Sequence, residues 1–88
     1  MIKLILFSTG EILATPGAVG LGVNLMPYLF RHLTGDWGDV DEFDQQQNDL
    51  AVQDGSRILS AYQTPAGKLW VLSEADRSAT TLLLPDEY

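Results

Sequence analysis

The first seven residues are almost continuously apolar behind Lys3, and Glu11-Ile12-Leu13-Ala14 returns to the same character after a polar interruption. Lys3–Phe7 reads as a strand. Glu11–Ala14 continues it or pairs with it across Ser8-Thr9-Gly10, as one bulged strand or a tight hairpin. Thr15-Pro16 then marks a helix start, with Thr at the N-cap and Pro at the first helical position, where its missing N–H is not needed. Gly17, Gly20 and Gly22 each cost roughly 1 kcal/mol relative to alanine, so this helix spans one or two turns.

A second helix follows, capped by Asn24 and tolerating Pro27 in its first turn. Leu25, Tyr28, Leu29 and Leu33 recur at helical spacing and form its buried stripe. Arg31 and His32 occupy the last turn, where positive charge suits the helix dipole, and Gly35 ends it. The loop Asp36-Trp37-Gly38 leads to a third helix, for which Asp39 and Glu42 have capping-box spacing. Phe43, Gln47, Leu50 and Ala51 share the face expected to be buried. Gln45, Gln46, Asn48, Asp49 and Gln53 make the polar face, and Gly55 closes the helix.

The last third reads as a β-meander. Arg57–Thr64 and Lys68–Ala75 flank Pro65-Ala66-Gly67, a three-residue hairpin loop. Asp76-Arg77-Ser78 makes the next turn, and Ala79–Leu84 the third strand, ended by Pro85. The expected fold over residues 1–88 is one α+β domain. It has a mainly antiparallel sheet of four or five strands, a C-terminal meander at its centre, and two or three short helices on one face.

Charge changes this picture in one place. Asp36, Asp39, Asp41, Glu42, Asp44, Asp49 and Asp54 lie between Arg31 and Arg57 with no basic residue among them. Their charge of −7 equals the net charge of the chain, and the remaining five acids balance five Lys/Arg. Direct binding to nucleic acid or to an anionic membrane needs clustered cations, which are missing. With no cysteine, disulfides, thiolate chemistry and cysteine-held zinc are excluded. No stretch has the roughly 20 apolar residues of a membrane span, and the N-terminal run is too short for a secretory signal. The expected location is cytoplasmic.

Candidate chemistry is sparse. His32 is the sole histidine, and no serine or carboxylate stands in a recognisable motif with it. The acids lack the alternating ligands, the sixth-position glycine and the twelfth-position glutamate of a calcium loop. No metal and no cofactor is expected. The glycines at 17, 20 and 22 do not match a phosphate-binding loop. Arg77 has acids nearby and reads as a local salt-bridge partner. Trp37, in a glycine-containing loop, is either a plug of the core or an exposed interface anchor.

Several strings carry a resemblance: Gly10-Glu11-Ile12-Leu13-Ala14-Thr15-Pro16-Gly17-Ala18, Arg31-His32-Leu33-Thr34-Gly35-Asp36-Trp37-Gly38-Asp39, Asn48-Asp49, Asp54–Tyr62 and Glu74–Tyr88. Together they resemble a family of small bacterial proteins of plasmids and other mobile elements, often labelled "plasmid-related protein", with no assigned activity. The resemblance implies a bacterial protein of a mobile element and supplies no mechanism. Small acidic proteins of such elements include inhibitors that occupy the DNA-binding surfaces of host defence proteins.

The functional expectation is a non-enzymatic interaction module. Its surface is the acidic loop and helix at 36–54, with Asp36, Trp37, Asp39, Asp41, Glu42, Asp44 and Asp49 facing a protein that has a basic surface. A sharper form is a DNA mimic that inhibits a DNA-binding or defence protein. The alternatives are an enzyme centred on His32 with Asp36 or Asp39, and a homodimer formed through the meander edge or an apolar sheet face. In the plainest reading, the charge only maintains solubility.

Overall fold

The computed structural model describes residues 4–88. Four strands, β1 (Glu11–Ala14), β2 (Ile58–Thr64), β3 (Gly67–Ser73) and β4 (Ala79–Leu83), form one sheet in the order β1-β4-β3-β2. β2, β3 and β4 are the antiparallel meander, and β1 joins the far side of β4 in parallel. Three helices, α1 (Pro16–Gly20), α2 (Met26–Leu33) and α3 (Glu42–Asp54), lie between β1 and β2, and a 3-10 turn at Pro85–Glu87 follows β4. The α+β architecture and the mostly antiparallel sheet agree with the sequence reading. No helix among the described residues is long and apolar enough to cross a membrane.

Strand alternation assigns the two faces of the sheet. Ile58, Ser60, Tyr62, Leu69, Val71, Ser73, Thr80 and Leu82 all point to one side and are all buried. α1 and α2 cover this side: Ala18, Leu29 and Leu33 close the core over Tyr62, Leu69, Val71 and Leu82. α3 takes a different place. It runs along the outer edge of β2, where the Asn48 amide donates to the Leu59 carbonyl at 2.9 Å and accepts from the Leu59 N–H at 3.4 Å. Beside it the 36–39 loop adds a short parallel bridge: the Ala61 N–H donates to the Trp37 carbonyl, and the Asp39 N–H to the Ala61 carbonyl. The β2 edge is thus occupied from within the chain.

The helix ends follow local chemistry. The Thr15 hydroxyl accepts from the Ala18 N–H with Pro16 behind it, as expected. Gly55 ends α3 in the left-handed region at φ 80°, a conformation without penalty for glycine. The N-cap of α3, however, is Asp41, whose carboxylate accepts from the Asp44 N–H at 2.8 Å; Asp39 lies two residues upstream, paired to β2 through its backbone.

Two further expectations are corrected. The hairpin loop has two residues, Pro65 and Ala66, because Gly67 already pairs with Thr64; the Thr64 hydroxyl organises it, accepting from the Ala66 N–H and donating to the Gly67 carbonyl. Leu4–Phe7 forms no strand, and Lys3 lies outside the described residues. The Leu6 N–H is used by the Leu33 carbonyl at the end of α2. The Phe7 ring lies between His32, Trp37 and the Arg77 guanidinium. The place beside β4 is held by β1.

Candidate functional site

His32 has the burial of a core residue, at 0% exposure. Its Nδ1 lies 2.6 Å from the Ser60 hydroxyl and its Nε2 2.9 Å from the Ser73 hydroxyl, and Ser73 lies 3.0 Å from the Thr80 hydroxyl. Thr80 in turn donates to the Thr9 carbonyl at 2.8 Å. That last oxygen only accepts, which sets the direction of the chain. Thr80 spends its proton on Thr9, so it accepts from Ser73. Ser73 then accepts from Nε2–H, and Nδ1 accepts from Ser60. A neutral imidazole protonated on Nε2 satisfies every link. Burial, with the Arg77 charge as a second contribution, pushes the imidazole down to about 4, in keeping with that neutral form.

A serine at hydrogen-bond distance from a histidine has the outline of a nucleophile and its base. Here Ser60 is buried as completely as His32, and Nε2 meets a hydroxyl where an orienting carboxylate would stand. The alternative reading pairs His32 with Asp36 or Asp39, but both ring nitrogens are engaged by serine hydroxyls instead. The arrangement ties α2 to β2, β3, β4 and the N-terminal segment.

The loop residues divide by role. The Asp36 carboxylate takes the Arg31 guanidinium at 2.7 and 3.3 Å, and its Oδ1 accepts from the Gly38 N–H. Its main-chain carbonyl accepts from the Tyr62 hydroxyl at 2.6 Å. Arg31 also lies 4.6 Å from the centre of the Tyr62 ring. Trp37 is 4% exposed and packs with Ala51 and Ile58. Of the two readings for this indole, the structure selects the core plug. Its Nε1–H donates to Asp49 at 2.9 Å, so one acid of the run serves the interior.

Arg77 is positioned by a φ of 59°, an uncommon backbone state for a residue with a side chain. Its guanidinium donates to the carbonyls of Ala51, Ser56, Glu74 and Ala75 and thereby closes the C-terminal end of α3. The expected salt bridge is replaced by these carbonyls. Arg31–Asp36 and Arg57–Glu74 are the ion pairs among the described residues.

What remains exposed is the outer side of α3 and its leading loop. Asp39, Asp41, Glu42, Asp44, Asp49 and Asp54 are all exposed. The helix buries Ala51, as expected, together with Asn48 from the expected polar face, while Phe43 and Leu50, expected inside, are 66% and 56% exposed. Phe43, Gln46, Gln47 and Leu50 have the i, i+3, i+4, i+7 spacing of one continuous outward stripe. This stripe was missed because the helix has two thin apolar faces. Asn48, a polar residue with a backbone partner, decides which one turns inward. A cleft of about 200 Å³ opens between the N-terminal half of α3 and the uncovered sheet face, with Asp44, Gln47, Leu59, Leu72 and Tyr88 in its wall.

No group of three or more His, Asp or Glu among the described residues is placed to hold a metal ion. Compared with family models, with curated proteins and with solved structures, the chain finds no match.

Proposed function

We propose that the protein is an interaction module whose contact surface is the outward side of α3 with its leading loop, and that its partner is a protein with a basic surface. The observation that carries this reading is the exposed Phe43 and Leu50 within the ring of carboxylates. A charge run serving solubility alone has no use for two large apolar side chains in its midst. Acids without cationic neighbours steer a basic partner, and the apolar pair gives it something to bury. No ion pair among the described residues involves Asp39, Asp41, Glu42, Asp44 or Asp49.

The stripe also bears on the DNA-mimic form of this reading. Its centre is Phe43, Gln46, Gln47 and Leu50, with carboxylates at its margins. That supports contact with a basic surface carrying an apolar hollow more than phosphate mimicry along a rod. The resemblance to proteins of mobile elements makes cytoplasmic host defence and DNA-processing proteins the class in which to search.

The test must spare acids with internal duties. Asp41 caps α3 and Asp49 holds Trp37, so neutralising them confuses binding with folding. Asp39→Asn, Glu42→Gln and Asp44→Asn remove charge from side chains that hold no hydrogen bond among the described residues, and Phe43→Ala with Leu50→Ala removes the apolar pair. In pull-downs from bacterial lysate, a partner captured at low salt should be weakened about tenfold or more by either set. A partner retained by both variants sinks this surface.

A further inference from the structure

The net charge of −7 is distributed one-sidedly. Residues 4–30 hold one charged side chain, Glu11, and the other eleven acids all follow Phe30. The same neutral stretch carries eight of the eleven exposed large apolar side chains among the described residues, beginning with Leu4, Ile5 and Leu6. Ile12 and Leu13, exposed by 50% and 41%, lie on β1.

The fold places part of this material, from β1 onward, toward one side of the sheet, whereas Leu6 lies beside Gly35 near the 36–39 loop. Ile12 pairs with Thr80 and so lies on the helix-covered face, and α1 leaves β1 directly. On α2, the flank carrying Tyr28 and Arg31 meets Tyr62 of β2. At 100° per residue, Met26 and Phe30 lie on the opposite flank, turned toward the β1 side. The acidic helix lies along β2, the other edge of the sheet.

Among the described residues, β1 is the open edge. The N–H groups of Glu11 and Thr15 donate to the Ser78 and Leu82 carbonyls at 2.9 and 3.0 Å. By strand alternation Glu11, Leu13 and Thr15 direct their backbone groups at β4, and Ile12 and Ala14 direct theirs outward. β1 contains no lysine, proline or bulge, so its four-residue length and Glu11 are the only devices of its own that act against edge pairing. The chain closes its β2 edge with Asn48 and the 37–39 loop and leaves this one open.

We propose that the β1 edge is a self-association surface, occupied by β1 of a second copy running antiparallel. A two-fold axis at Leu13 sets Ile12 opposite Ala14 of the second copy. Each such pair exchanges two backbone hydrogen bonds, and Leu13 faces its own equivalent on the uncovered side. The occupant follows from the charge distribution. Two molecules of charge −7 meet here without setting like charges opposite each other, because Glu11 would face Thr15 of the second copy. In the joined eight-stranded sheet the acidic helices stand at the two ends. At about 4.8 Å per strand they are more than about 30 Å apart, several Debye lengths at the physiological value of about 8 Å.

Sedimentation equilibrium across protein concentration, joined to amide exchange at Ile12 and Ala14, tests the proposal. A reversible dimer is expected, with these two amides protected in proportion to the dimer fraction. Leu13→Glu sets two carboxylates opposite each other and should weaken association roughly tenfold or more. Ala14→Pro removes an N–H that has no strand partner in the monomer, so it should block pairing while circular dichroism stays that of the folded chain. Phe43→Glu, on the other edge, should leave the dimer intact. A protein that stays monomeric up to millimolar concentration overturns the proposal. So does a dimer whose Ile12 and Ala14 amides exchange as freely as in dilute solution, or one that persists in both folded β1 variants. The proposal stands apart from the acidic-surface reading, since the monomeric variants keep α3 unchanged.

Discussion

His32 carries a pH dependence whose sign follows from its burial. The folded imidazole titrates at about 4, against 6.5 when unperturbed. Between those values the unfolded chain holds a proton that the folded chain does not, so acid favours unfolding. The contribution of neutral His32 is fully present above pH 6.5 and is lost as pH falls toward 4. Its size is on the order of 3 kcal/mol, from about 1.4 kcal/mol per unit. Urea melts at a series of pH values should show stability rising from pH 4 to 6.5 and then levelling. The imidazole proton resonances should stay those of the neutral ring at pH 5.5; a ring already protonated there would break the argument. Trp37 supplies a second expectation at this scale. Asp49→Ala leaves a buried indole N–H without its acceptor and should cost about 1–3 kcal/mol. In a Trp70→Phe background, the emission of Trp37 reports the same loss of order.

Among the elements, α3 owes little to an apolar face and much to polar contacts at fixed points. Asn48 satisfies both outward backbone groups of Leu59, and Arg77 gathers the carbonyls at the other end. Asn48→Leu is expected to cost about 1–3 kcal/mol despite adding apolar surface, because it strands both groups at the edge of β2. Arg77→Lys should cost a similar amount, since a point charge does not reproduce the planar fork. Chemical denaturation measures both, and a neutral Asn48→Leu would show that water replaces the clamp. These contacts mark the boundary of what could be read from the chain. Thr15-Pro16, Gly55 and the place of the hairpin at Pro65, though not its loop length, were legible because each signal lies within a few residues of the structure it creates. The inward face of α3 was not, because Asn48 is chosen by Leu59, eleven residues away and on another element. The same holds for His32, whose partners Ser60 and Ser73 lie 28 and 41 positions along. Parallel pairing of β1 with β4 spans most of the chain, and nothing local in Leu4–Phe7 distinguishes it from a strand. The exposed acids of the candidate surface were legible from composition, whereas the apolar pair among them was visible only as a mistaken core.

Taken as a whole molecule, the protein has an apolar strand, β1, at one edge of its sheet and the acidic α3 along the other. Salt acts on these two edges unequally. Attraction between the exposed carboxylates and a basic partner falls as the screening length shrinks from about 10 Å at 0.1 M to about 3 Å at 1 M. Pairing at the β1 edge holds the two acidic helices several screening lengths apart already at 0.1 M, and its backbone hydrogen bonds and apolar contacts do not depend on charge. Raising salt over that range should therefore weaken capture of a basic partner while leaving the dimer nearly unchanged. Sedimentation and binding measured in the same salt series give the two slopes. A steep slope for the partner and a flat one for the dimer are expected. A dimer that dissociates with salt would place the acidic face inside the self-contact, and partner binding that strengthens with salt would shift recognition from the carboxylates to Phe43 and Leu50 alone.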